Sequence, residues 1–130
     1  MDPNGTTVYV AQGLMGLAVW DITTPTSPTK SGFFSYRGNI SYIFLNGEYL
    51  WMADPFTGIR ALDVSNPKTV LAGDRLDYTG HMHSMSVSPD SRYLFVADES
   101  TDFVMYDISM PFMPVRVDRL KGGMYDIYIN

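Results

Sequence analysis

Short apolar stretches alternate with polar turns along the whole chain, and this alternation is written three times. The copies read VYVAQGLMGLAVWDITTP from Val8 to Pro25, LWMADPFTGIRALDVSNP from Leu50 to Pro67, and LFVADESTDFVMYDISMP from Leu94 to Pro111. Alanine returns at Ala11, Ala53 and Ala97, aspartate at Asp21, Asp63 and Asp107, and proline at Pro25, Pro67 and Pro111, so the spacing is 42 to 44 residues. Runs rich in aromatic and apolar residues, Tyr49 to Asp54 and Tyr93 to Asp98, follow the turn residues Asn46-Gly47 and Pro89-Asp90-Ser91 and read as strands leaving tight hairpins. A polar turn and a second apolar run come next (LAVWDI, IRALDV or FVMYDI), which predicts an antiparallel pair. The endings ITTP, VSNP and ISMP stop that strand, because proline donates nothing to a ladder and restrains the residue before it.

Two further strands complete each unit. The outer ones are Lys30 to Phe34, Val70 to Leu76 and Val115 to Leu120, and the inner ones are Ile40 to Leu45, His83 to Ser88 and Met124 to Ile129. No stretch of helical length carries a 3.6-residue period, so the fold class is all-β. A repeat of this length built from four short strands predicts β-propeller blades, whose ligands usually bind at the axis. Lettered A to D from the axis outward, the strands run BCD-ABCD-ABCD-A: three four-stranded antiparallel blades, with repeats at about 4–45, 46–88 and 89–130 of a single segment, 1–130.

In that order the first blade's innermost strand is Met124 to Ile129, at the far end of the chain. Pairing of strands from the two ends hides both edges. Sheet twist sets the wedge angle between neighbours, and packed rings need roughly four blades or more, so three leave the ring incomplete. Two readings remain open. The chain is a segment of a longer propeller, or identical chains close a ring by exchanging the C-terminal strand.

Composition narrows the partners. The 130 residues are 45% hydrophobic and 18% charged, the balance of a globular chain. Nine Lys and Arg against fourteen Asp and Glu give a net charge of −5, and no basic cluster exists to meet phosphates, so nucleic acid is not an expected partner. The absence of cysteine excludes disulfides, thiolate metal sites and a Cys nucleophile. No apolar run approaches the roughly 18 residues of a membrane helix, so no membrane span is expected. The start, MDPNGTTVYV, lacks the charged and apolar regions of a signal peptide; an exported protein would have lost its leader or carry it outside this sequence.

The segment ADPFTGIRALDVSNP, Ala53 to Pro67, resembles the LVIVD repeat of bacterial propellers: a strand ending in Ala-Asp, a glycine turn, an apolar strand ending in Asp-Val-Ser, then proline. AQGLMGLAVWDITTP keeps the turn glycine at Gly16, while ADESTDFVMYDISMP has Asp102 in its place. The run from Ser88 to Ser109 is also similar to YVTN or lactonase-like propellers with their Ser-Pro-Asp-Gly-Arg hairpins, with Ser91 in the glycine position. Gly80-His81, Tyr106-Asp107 and Trp20-Asp21 are similar to WD40 repeats, although the proline endings fit LVIVD better. These resemblances imply blade construction rather than an activity, and an extracytoplasmic bacterial setting (periplasmic, cell-surface or secreted).

Candidate chemistry is sparse. His81 and His83 are the only histidines, and at i and i+2, where the chain enters the inner strand, both imidazoles face one way and are able to meet one metal; the structural alternative has His81 bonded to a turn aspartate or backbone and His83 packed or facing solvent. Met82 and Met85 flank them, and soft donors of this kind suit copper. One blade supplies only two such ligands, so no cofactor is expected. Arg37 and Asp126 differ from their counterparts in the other repeats and are candidates for lining an axial funnel. The recurrent Asp21, Asp63 and Asp107, and Asp54 and Asp98, are expected to be structural, each capping its own turn. The chain therefore reads as a non-catalytic binding scaffold for protein or small ligand, partnered by other blades or by an identical chain. The alternative is a lactonase-like or metal-dependent propeller enzyme using His81 and His83.

Overall fold

The computed structural model describes residues 1–2, 4–76, 78, 82–98 and 102–121, without the side chains of Asp98, Asp102 and Lys121. Among these residues all regular structure is β. The first sheet contains β1 (Thr7–Ala11), β2 (Leu17–Asp21) and β3 (Thr29–Phe34). The second contains β4 (Tyr42–Asn46), β5 (Tyr49–Asp54), β6 (Gly58–Asp63) and β7 (Leu71–Leu76), and the third β8 (Met82–Val87), β9 (Tyr93–Asp98), β10 (Asp102–Asp107) and β11 (Val115–Lys121). Every pairing is antiparallel between consecutive strands, which reproduces the BCD-ABCD-ABCD order. The predicted strand Met124 to Ile129 lies outside the described residues.

One boundary differs from expectation by more than a residue. Ile40 and Ser41 precede the inner strand: Ile40 forms a lone bridge to Gly13 and donates its amide to the Gly13 carbonyl at 3.2 Å, so β4 begins only at Tyr42. The apolar Ile40 is buried against the first blade, which is why its pattern reads as strand.

The innermost strands β4 and β8 of adjacent sheets touch each other, so the sheets converge on that side. Period-2 alternation sends odd and even residues of each strand to opposite faces. In β5, Leu50 and Met52 enter the core shared with Tyr9, Leu17 and Val19 of the first sheet, while Trp51 and Ala53 enter the core shared with Leu94, Val96 and Val104 of the third. Covered on both sides, the middle sheet buries Leu50, Trp51, Met52, Ile59 and Leu62 almost completely. Side chains of this size each contribute about 1.5–3 kcal/mol when fully buried.

Turn chemistry explains the recurring glycines. Gly16 and Gly58 close the B–C turns at φ values of 103° and 101°, and a Cβ at either would strike the carbonyl oxygen of Phe34 or Leu76 on the neighbouring outer strand. The A–B hairpins use left-handed residues at Gly47 (φ 59°) and Ser91 (φ 58°), so Ser91 occupies the glycine position in fact as well as in pattern. A serine held there costs about 1–2 kcal/mol relative to an ordinary conformation.

Gly58→Ala is expected to lose about 3 kcal/mol through combined strain and collision. Ser91→Gly is expected to gain up to about 1 kcal/mol, after the entropy of the more flexible unfolded chain is subtracted. Urea denaturation midpoints moving in opposite directions check both.

Candidate functional site

Each blade ends its third strand in the same way. Asp21, Asp63 and Asp107 accept backbone amides two residues on, from Thr23 at 2.8 Å, Ser65 at 2.9 Å and Ser109 at 2.9 Å. The Ser65 hydroxyl adds a bond to Asp63 at 2.6 Å, and the Ser109 hydroxyl one to Asp107. Immediately afterwards, Ser27, Thr69 and Met113 donate their amides to the carbonyls of Thr24, Asn66 and Met110 at 2.9, 2.9 and 2.8 Å. Pro25, Pro67 and Pro111 thus stand second in four-residue turns, where their fixed φ is favourable. The hydroxyl and amide donors hold all three carboxyls below the ordinary aspartate range. In each, Oδ1 is committed to its own turn, as the repeat predicts.

Asp54 is different in kind. It is only 1% exposed, and it ties the B–C turn of the second blade to the crossover arriving from the first. Its Oδ1 accepts the amides of Phe56 (2.7 Å) and Thr57 (3.2 Å), and its Oδ2 accepts the Asn39 amide (2.7 Å). The Tyr36 hydroxyl bonds to the Thr57 hydroxyl beside it. Burial pushes the Asp54 carboxyl up, but the amides of Phe56 and Asn39, with the Tyr36 hydroxyl and the Thr57 amide, outweigh it and leave the group below its ordinary value. Burial raises the Tyr36 phenol despite its bond to Thr57. Gly38 completes the arrangement, since a Cβ there would collide with Asp54 Oδ2 and the Tyr36 ring. Sequence reasoning gave Asp54 its turn but missed Tyr36, Gly38, Asn39 and Thr57. The visible signal was Gly38, a glycine followed closely by an inner strand.

The axial candidates are placed only in part. His81 and Asp126 lie outside the described residues. His83 is exposed on β8, the innermost strand of its sheet, where the register slips between Met82 and Ser84. It is therefore the extra residue of a β-bulge, a device that re-aims a side chain and interrupts strict alternation. Arg37 is exposed in the crossover between Tyr36 and Gly38. Among the described residues no three His, Asp or Glu side chains gather in metal-binding geometry.

A cleft of about 380 Å3 opens beside the hairpins of the second and third blades, lined by Asn46, Tyr49, Trp51, Arg92 and Ile108. In the first blade the Tyr9 hydroxyl donates to the Val64 carbonyl at 3.5 Å. Trp51 occupies the corresponding place one blade on, and its buried indole Nε1 has no hydrogen-bond partner among the described residues. Arg92 faces Asp107 at 3.5 Å, an exposed ion pair that contributes little to stability.

Comparison with known proteins adds one finding: the LVIVD repeat model matches residues 4–35, 37–71 and 79–120. No curated protein matches the chain.

Asp54→Asn places an amide NH2 or a weaker acceptor against amide donors, and the expected loss is about 1–3 kcal/mol. Because its folded pKa is depressed, the stability Asp54 contributes is present above the unfolded aspartate value of about 3.9 and is lost as pH falls through the lower folded value. Denaturation curves from neutral to acid pH are expected to fall less steeply in Asp54→Asn than in the parent.

Proposed function

Because the chain belongs to the LVIVD-repeat family, we propose that it acts as a non-catalytic propeller module, a rigid scaffold that presents loops and clefts to a protein or small ligand. The observation that carries this reading is the use of the aspartates. The repeat supplies carboxylates in register, and Asp21, Asp63 and Asp107 each commit Oδ1 to a backbone amide of their own turn, while Asp54 commits both oxygens to amides of its turn and of the crossover. Groups held in this way define shape and are poorly placed to carry protons in a reaction. The crossovers and B–C turns, stiffened by such bonds at Asp54, are suited to holding a binding surface in one conformation, which reduces the entropy lost on association.

A second reading keeps one specific observation: His83 sits exposed in a bulge on the innermost strand of its sheet. A metal-dependent or lactonase-like enzyme would place an axial site there, with His81 as second ligand and others from further blades.

Metal analysis of the purified protein separates the two. The scaffold reading expects no stoichiometric copper, iron or calcium, and unchanged composition when His81 and His83 are both replaced by Ala. Stoichiometric metal that disappears in the double variant would sink it.

A further inference from the structure

The two internal interfaces are copies of one design. On its forward face, the first blade presents Tyr9, Leu17 and Phe34, with Leu17 paired to Phe34, and the second presents Trp51, Ile59 and Leu76, with Ile59 paired to Leu76. On the reverse face, the second blade presents Leu50, Met52 and Leu62, with Leu50 paired to Leu62, and the third presents Leu94, Val96 and Tyr106, with Leu94 paired to Tyr106. These residues pack into the two cores between the blades.

Continued by one step in each direction, the same registers reach two faces that no other described residues cover. The third blade's forward face carries Phe95, Phe103 and Leu120, again with Phe103 paired to Leu120, and Leu120 is 54% exposed. The first blade's reverse face carries Val8, Val10 and Trp20, again with Val8 paired to Trp20, and Val10 is 37% exposed. At the outer rim the match is looser. Asp118 stands opposite Met105 where Gly32, opposite Val19, admits the Pro67 carbonyl of the next blade. Contact at the forward face therefore falls on Phe95, Phe103 and Leu120, at the end of the outer strand away from Asp118.

We propose that a second copy of this chain docks head to tail, its first-blade reverse face seated on the third-blade forward face of its neighbour. The inference rests on the propeller-module reading and specifies a partner for it. The apposed surface is a third instance of the interface that the chain already forms twice within itself. Apolar side chains such as Leu120 and Val10 are costly to leave in water, and a head-to-tail contact adds copies in one direction.

Sedimentation equilibrium tests this on the full chain and on two variants that put charge at the most exposed positions of each face, Leu120→Glu and Val10→Lys, with circular dichroism confirming that both stay folded. The parent is expected at no less than twice the chain mass of 14.6 kDa and each variant at 14.6 kDa. An equimolar mixture is expected to regain pairs, because one variant keeps an intact forward face and the other an intact reverse face. A parent that sediments as a single chain overturns the proposal, and this holds whether or not the variants fold. So does a variant that alone keeps the parent's mass, since that would mean like faces pair. Metal bound through the histidines would defeat the scaffold reading while leaving these masses unaltered, so the two failures are distinguishable.

Discussion

A sheet whose two faces are both apolar is unstable unless each face is covered, and this requirement organises the whole molecule. Strand β5 shows it most clearly: Leu50 and Met52 serve one core, Trp51 and Ala53 the other, and the backbone between them has no access to water. The stability of such a stack is close to a sum over blades and their contacts, with little coupling at longer range. The turns then have one task, which is to return the chain to the next blade at the correct angle. The Ser65 amide donating to Asp63 and the Asn39 amide donating to Asp54 perform that task at the two ends of the second blade.

The aspartates illustrate how a polar group is tolerated in this setting. Those at the strand ends are at least partly exposed, and each accepts a single backbone amide of its own turn. Asp54 is buried, and there a carboxylate survives because three amides converge on it and Gly38 leaves the space. The bonds cross from one blade to the next, which makes Asp54 a joint between repeats and sets it apart from the caps within them.

Most of the blade structure was legible in the sequence because it rests on local signals. Alternation located the strands, and the Asp-to-Pro endings located the turns. Ser91, which the resemblance to Ser-Pro-Asp-Gly-Arg hairpins puts in a glycine position, is left-handed. What was not legible depends on contacts far apart in sequence. Ile40 reads as strand because it is apolar, but its partner is Gly13 in the preceding blade, and only the fold reveals that the pairing stops after one bridge. The bulge at His83 is a slip of register, which a pattern of residue types does not encode. The cluster around Asp54 assembles Tyr36, Asn39 and Thr57 from two blades, and no single repeat contains it.

The two tryptophans lie on opposite kinds of surface. Trp51 is sealed between the second and third blades, with no partner for its indole N–H among the described residues, while Trp20 is half-buried on the reverse face of the first. The chain thus carries two intrinsic fluorophores in contrasting surroundings. The emission of one follows the integrity of the interior, and that of the other follows whatever comes to rest on the outermost sheet.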